Sequence, residues 1–385
     1  MKLDTKRILL IIESSTSYGR EILHGISQFA REKNNWWFLV ELRGIEESPP
    51  LLLKNWKGDG IISRVSNSKT FRLIQQCDCP YVDLLWDFKN AIKCEDLLIA
   101  KKFYEYFISL GFQHFGFFSF GKTEWIQTRK QVVLEEGKQL DLTIHTFEPS
   151  LIKDDMCPEP QWNDYYEKQL ICWLHSLPKP IAILAANDHQ AVHLLNYCIQ
   201  EQINIPDEIA ILGINNDDHL CNIVSPSLSS IDPNAFQVGY EAARMLDHKI
   251  NFNDLSLFER RTIEPKGIIV RQSTETLMID NADIIDAIRF IRKYATQGIR
   301  VCDVLEEVQL SNKTLERWFK KTLGHTPERE IILVKLRHAE SLLRNTQMSI
   351  RKIAELSGFQ SERYFVQFFR REKGLTPYQF RKNIE

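Results

Sequence analysis

Residues 311–327 read SNKTLERWFKKTLGHTP, and residues 361–377 read SERYFVQFFRREKGLTP. Laid over one another, fifty residues apart, they align throughout. Ser311 falls on Ser361, Leu315 on Phe365, Trp318-Phe319 on Phe368-Phe369 and Lys320-Lys321 on Arg370-Arg371. Gly324, Thr326 and Pro327 fall on Gly374, Thr376 and Pro377. A serine able to cap a helix, apolar residues three and four apart and a glycine at the end spell one helix written twice. A shorter apolar face precedes each copy: Val301, Val304, Leu305 and Val308 before the first, Ile350, Ile353 and Ala354 before the second. Leu310 and Gly358 mark the intervening turns. A positioning helix, a tight turn and a basic second helix make a helix-turn-helix unit. Two in tandem, about residues 299–324 and 349–374, predict binding to double-stranded DNA.

The packing positions decide which side chains are left for DNA. With Leu315, Trp318 and Phe319 turned inward, Asn312, Lys313, Glu316 and Arg317 face outward. With Phe365, Phe368 and Phe369 inward, Glu362, Arg363, Val366 and Gln367 are presented. Arginine and glutamine bond bidentately to guanine and adenine edges, so Asn312, Lys313, Glu316, Arg317, Glu362, Arg363 and Gln367 are expected to read bases. Lys320, Lys321, Arg370, Arg371 and Lys373 lie further along and suit phosphates, as do Ser311 and Ser361 at the helix starts. Between the units, residues 328–344 read as one helix of about 25 Å, from roughly 1.5 Å rise per residue. Such a strut could hold two recognition helices about one DNA turn, roughly 34 Å, apart.

Charge follows the same division. The chain has a net charge of −2, yet residues 282–385 hold 20 Lys and Arg against 13 Asp and Glu. A basic module on an acidic body attracts phosphate locally without making the whole chain stick to nucleic acid. No run of about 18 apolar residues exists, so no membrane span or membrane partner is expected. The start, MKLDTKRILLIIESS, has a short apolar run followed by Glu13 and Ser14 rather than a small-residue cleavage site, and reads as a first strand. The eight cysteines are scattered, apart from Cys77 and Cys79, which suits a reducing cytoplasm. No His/Cys cluster has metal-site spacing, and neither metal nor cofactor is expected.

From residue 7 to about 270 the chain alternates strands and helices. Strands are expected at 7–12, 37–42, 60–63 and 81–85, with helices at 18–32 and 96–110. A second series runs through strands at 115–120, 142–147, 182–186 and 209–214 and helices at 128–136, 162–176, 188–201 and 236–249. This rhythm predicts parallel sheets flanked by helices, in two similar lobes with a cleft between them. Residues 271–281, RQSTETLMIDN, break the rhythm. The expected organisation is an α/β domain over 1–273, a linker over 274–281 and an all-α tandem helix-turn-helix domain over 282–385.

The pattern Ala339…Leu343…Ile350-x-x-Ile353-Ala354-x-x-x-Gly358-Phe359…Tyr364-Phe365…Gly374-x-Thr376-Pro377…Phe380-Arg381 resembles the AraC/XylS-type signature. Phe380 stands where that signature usually has Tyr. The first 270 residues resemble the periplasmic-binding-protein-like domain of LacI/GalR-type repressors. The resemblance rests on Ala185-Ala186-Asn187-Asp188, on Ile211-Leu212-Gly213-Ile214-Asn215-Asn216 and on Pro226-Ser227-Leu228-Ser229-Ser230-Ile231. It implies a sugar in the cleft, with Arg129 at the position of a sugar-binding arginine. Ligands of parallel sheets sit at the carboxyl ends of the strands, where Asn187, Asn215 and Arg129 can supply hydrogen bonds and Trp125 or Trp86 an aromatic face. Tyr18, on the segment after the first strand, and Asp87, after Trp86, are further candidates. Asn215 departs from the family's usual Asp, leaving the identity of the ligand open.

The order of parts, sensor first and AraC-type domain last, resembles regulators of pentose operons. It implies a pentose effector such as xylose, activation of catabolic genes with RNA polymerase as a partner, and a homodimer. Candidate dimer surfaces are Phe71, Leu73 and Ile74, and Leu97 and Leu98, taken as first-lobe helices. An alternative keeps DNA binding but gives the first domain only dimerisation or a non-sugar ligand. An enzyme is disfavoured, because no phosphate loop, G-x-S-x-G or G-x-G-x-x-G follows the first strand.

Overall fold

Ile8, Leu9, Leu10, Ile11 and Ile12 are all buried, as in a parallel strand covered on both faces. In the computed structural model they form the middle of β1 (Lys6–Glu13), around which the first lobe is built. The structure describes residues 5–45, 47–86, 91–121, 123–148, 164–252, 261–275 and 282–382. It divides into two units, Met1–Thr276 and Leu277–Glu385.

In the first unit β1 leads to α1 (Ser17–Lys33), β2 (Trp36–Arg43), β3 (Gly60–Arg64), α2 (Ser68–Gln75), β4 (Tyr81–Asp83) and β5 (Ile92–Cys94). The sheet order is β2-β1-β3-β4, and every pairing is parallel. Thr16 starts α1 by accepting a hydrogen bond from the Gly19 N–H at 3.2 Å. The second lobe comprises α3 (Asp96–Ser109), β6 (His114–Phe118), α4 (Glu124–Gln139), β7 (Ile144–Thr146), α5 (Asp164–Ser176), β8 (Ile181–Ala185), α6 (Asp188–Gln200), β9 (Ile209–Ile214), α7 (Asp218–Ile223) and β10 (Ser229–Asp232). After α8 (Ala235–Phe252) and β11 (Arg261–Ile263), β12 (Gly267–Ile269) closes the sheet order β12-β10-β9-β8-β6-β7. Only the β10–β12 pairing in that sheet is antiparallel.

The lobes are not two successive halves of the chain. Helix α3 crosses early: its Ile99, Ala100, Phe103 and Phe107 pack with Phe115 and Phe117 of the second lobe. Helix α8 crosses back, its Val238, Ala242 and Leu246 packing with Ile8, Ile22 and Ile26. β11 then pairs with β5. Leu97 and Leu98 therefore belong to a second-lobe helix, not a first-lobe one. Phe71 and Ile74 are buried among Leu9, Ile11 and Ile61, which makes them core rather than surface.

The second unit is helical: α9 (Ala282–Tyr294), α10 (Val301–Val308), α11 (Asn312–Leu323), α12 (Pro327–Asn345), α13 (Ile350–Leu356), α14 (Glu362–Lys373) and α15 (Pro377–Lys382). It has two cores. Val304, Leu315 and Phe319 pack with Ile284, Ile288 and Ile291 of α9. Ile353, Phe365 and Phe369 pack with Leu336, Ala339 and Leu343 of α12. Helix α12 also sends Ile331 into the first core, so one helix serves both. Among the described residues no helix is long and apolar enough to cross a membrane.

Candidate ligand cleft and nucleic-acid interface

The carboxyl ends of β1, β3 and β4 meet the first turns of α3, α4 and α6 around a cavity of about 390 Å³. Six expected ligand residues line it: Tyr18, Trp86, Trp125, Arg129, Asn187 and Asn215. The seventh, Asp87, lies outside the described residues. Asn187 caps α6, its Oδ1 accepting from the Gln190 N–H at 2.9 Å. Its amide nitrogen has no partner among the described residues and is free to donate. Asn215 ends β9 with φ +117°, and Asn216 follows at +50°. Two consecutive non-glycine residues at positive φ are strained, a state that persists where surrounding structure holds it and that clusters at ligand sites.

Trp86 is positioned from beneath. Asp83 is buried at the end of β4 and accepts from the backbone N–H groups of Leu85 at 3.0 Å and Trp86 at 2.6 Å. Burial pushes its carboxyl up to about 7. The indole N–H of Trp86 donates to the Val65 carbonyl at 2.7 Å, and the ring stacks on Phe71. Trp86 therefore offers the cleft a ring and no free donor. Trp125 is half-buried on the first turn of α4.

Arg129 is less free than an isolated ligand arginine. Its Nε donates to Asp96 at 2.7 Å and its Nη1 to the Ala186 carbonyl at 2.6 Å. Its guanidinium carbon stands 5.5 Å from the Trp125 ring centroid. Asp96 had not been expected in the site, nor had Glu13 and Arg64. Glu13 ends β1 almost wholly buried, paired with Arg64 at the end of β3. Burial raises the Glu13 pKa, and the Arg64 charge pulls it back part of the way. For Glu13 and Arg64 the signal is in the sequence: polar residues closing apolar parallel strands point into the ligand crevice.

Below Asn215 lies a buried carboxylate. Asp188 accepts from the Ser230 hydroxyl at 2.5 Å and from the Asp217 N–H at 2.7 Å. Burial pushes it up to about 7. Gly213 is required beside it, since a Cβ there would lie 2.1 Å from Asp188 Oδ1. The glycine and acid in this part of the sequence thus build the floor of the site, and Asp188 does not line the cavity.

In the helical unit Ser311 caps α11, accepting from the Thr314 N–H at 3.2 Å, and Ser361 caps α14, accepting from the Tyr364 N–H at 3.2 Å. Asn312, Lys313, Arg317, Lys320 and Lys321 are exposed, and Glu316 is half-buried. Glu362, Arg363, Gln367, Arg370, Arg371 and Lys373 are exposed in the second copy. Not all of the cations are equally available. Lys373 is 2.5 Å from Glu340, and Arg371 contacts Glu372 at 3.2 Å while lying over Phe368. Tyr364, also exposed on α14, is not among the residues that the sequence presents to DNA.

Residues 104–274 match the periplasmic binding protein-like domain, and residues 304–383 match a helix-turn-helix domain. Matched domains and architecture define the class: a transcriptional regulator in which an AraC-type DNA-binding domain follows a periplasmic-binding-protein-like domain. Within that class the chain is similar over its whole length to the xylose operon regulatory proteins. It is 26% identical to that of Escherichia coli (strain K12), covering 97% of this chain and 96% of the relative. With that of Haemophilus influenzae it shares 27% identity, covering 98% of each. A solved structure of the xylose-binding transcription activator xylR superposes with a TM-score of 0.77 at 24% identity, covering 99% of both chains. A LacI family regulator from Enterococcus faecium with bound ribose gives a TM-score of 0.53 at 18% identity, covering 70% of this chain and 98% of that one.

Proposed function

We propose that the chain is a sugar-responsive transcriptional activator whose effector is a pentose, xylose first among the candidates, bound in the cleft. One observation carries this reading. The cavity between the lobes presents three aromatic rings, two guanidinium groups and two asparagine amides, in a chain whose other unit is a tandem helix-turn-helix. Sugars have an apolar ring face and a rim of hydroxyls that both donate and accept, and this lining complements both. Arg129 and the amides of Asn187 and Asn215 serve the rim, and Trp86 or Trp125 the face. The relatives' xylose-regulator names point the same way. The protein acts in the cytoplasm as a homodimer without enzymatic activity, since joining two DNA-binding modules raises their effective concentration at an operator. Asn312, Lys313, Glu316, Arg317, Glu362, Arg363 and Gln367 read bases, and the neighbouring cations hold phosphates.

A thermal-shift screen of the full chain against pentoses and hexoses tests this. A pentose should raise the melting temperature, and Arg129→Lys should weaken it by about tenfold or more, because an ammonium cannot reproduce the guanidinium fork. Stabilisation by no sugar in the panel would remove the sugar from this reading.

A further inference from the structure

We propose that Arg64, held by Glu13, is the first lobe's ligand-contacting arginine and the counterpart of Arg129, so that the cleft grips a sugar between two guanidinium groups. This rests on the sugar reading above and names the residue that sets its specificity.

One arrangement occurs twice, on elements with no sequence repeat between them. In the first lobe Glu13 pairs with Arg64, whose guanidinium carbon lies 4.6 Å from the Tyr18 ring centroid. In the second, Asp96 pairs with Arg129, 5.5 Å from the Trp125 ring centroid. All six side chains line the same cavity. In each case the carboxylate fixes one edge of the guanidinium and the ring restrains its plane. A long, rotamer-rich side chain is thus ordered before ligand arrives, and the cost of ordering it is not charged to binding. Fold stability alone does not explain a buried ion pair, because well-packed apolar residues usually serve as well or better. The charges along the wall also balance. Glu13, Asp96 and Glu124 oppose Arg64, Lys93 and Arg129. Two preorganised donors among described lining residues whose charges balance suit the hydroxyl oxygens of an uncharged sugar.

The test is calorimetric titration of the full chain with D-xylose, D-ribose, L-arabinose and the aldonate of xylose. Arg64→Met should weaken the pentose that wild type binds by about tenfold to a hundredfold, the range for a lost charge-assisted hydrogen bond. Arg64→Lys, which keeps a cation beside Glu13 and so guards against misfolding, should recover little of it. The neutral sugar should outbind its aldonate. Unchanged pentose affinity in a folded Arg64→Lys or Arg64→Met protein would overturn the role of Arg64 and leave the sugar reading standing. A wild type that binds none of the four compounds would sink the sugar reading itself.

The end of the same domain is fastened to the cleft by a different set of bonds. Asn215 lines the cavity, and the Oδ1 of the adjacent Asn216 accepts from Arg271 Nη2 at 2.9 Å. Arg271 Nη1 donates to the Leu228 carbonyl at 2.9 Å, and its backbone N–H donates to Ser229 Oγ at 2.6 Å. The next three residues, Gln272–Thr274, form a short turn bolted to the second lobe. Ser273 Oγ donates to the Ile211 carbonyl at 2.6 Å, and Thr274 Oγ1 to Ser229 Oγ at 2.7 Å. The covalent tether to the helical unit therefore leaves from the second lobe, one side chain away from the strained pair Asn215-Asn216. We infer that Arg271 couples cleft occupancy to DNA binding. A ligand on Asn215 shifts the backbone there, and Asn216 passes the shift to Arg271.

Arg271→Met tests this, with Asn216→Ala as a milder variant, by measuring pentose affinity and the effect of the pentose on DNA affinity in the same proteins. The sugar should bind within about twofold of wild type, a change of under half a kcal/mol, while its effect on DNA affinity is lost. Parallel loss of sugar binding and DNA response would show a merely structural role, and an undiminished response would refute the coupling. A wild type without any sugar response would instead reject the sugar reading.

Discussion

The two helix-turn-helix units share a scaffold and differ in what they display. Counting from the capping serine, both recognition helices bury the fifth and ninth residues, Leu315 and Phe319 in one and Phe365 and Phe369 in the other. Both end on a left-handed glycine, Gly324 or Gly374. Both lay a cation over an aromatic ring, Lys321 on Trp318 and Arg371 on Phe368. The outward faces have diverged, with Asn312, Lys313 and Arg317 against Glu362, Arg363 and Gln367. The turns differ as well. In the first the left-handed residue is Gln309, two before the cap; in the second it is Gly358, three before it. The second helix is further tied to α12, where Arg329 pairs with Glu372 and Glu340 with Lys373. Packing constrains the buried positions of both helices alike, and no such constraint acts on the exposed positions.

If the scaffolds are equivalent, core truncations should be equally costly. Phe319→Ala and Phe369→Ala should each destabilise their unit by about 3–5 kcal/mol, as measured by amide exchange under denaturant in the full chain. A markedly cheaper loss in one would show that one core is only a passenger on the other. The turns should respond with unequal force. A Cβ on Gly358 would sit 2.5 Å from the Thr296 carbonyl oxygen at φ +74°. Gly358→Ala should therefore cost about 2 kcal/mol or more, from strain plus overpacking, whereas Gln309→Gly should change stability by less than about 1 kcal/mol. Equal effects would mean the turns are alike after all. On the displayed faces, Arg363→Ala should weaken specific DNA by about 1–3 kcal/mol and relax preference at one base pair. Equal weakening on random DNA would reassign Arg363 to phosphate.

The helical unit was legible because its information is local. A capping serine, a stopping glycine and an apolar period fix a helix and its outward face without reference to the rest of the chain. The cleft was legible only in part. Asn187, Asn215 and Arg129 sit in stretches with recognisable neighbours, and they do meet. Glu13 and Arg64 meet only because β1 and β3 are neighbours in the sheet, and Asp96 meets Arg129 only because α3 packs beside α4, so nothing in their local sequence pairs them. The swap of α3 and α8 between lobes was hidden for a related reason. A strand-helix rhythm looks the same whichever sheet a helix covers, so Leu97 and Leu98 were placed on the wrong lobe. The aromatic density of α3, with Phe103, Tyr104 and Phe107 meeting Phe115, decides the matter only in three dimensions.

On the proposed function, a sugar in the cleft governs DNA binding by the tandem helices. The most direct test is the affinity of the full chain for a DNA site enriched by its own binding, measured with and without D-xylose, D-ribose and L-arabinose. One pentose should change that affinity by about tenfold, a coupling of roughly 1.4 kcal/mol, with a reciprocal change in sugar affinity when DNA is bound. Identical DNA affinity in every sugar, with the pentose nonetheless bound in the cleft, would contradict it.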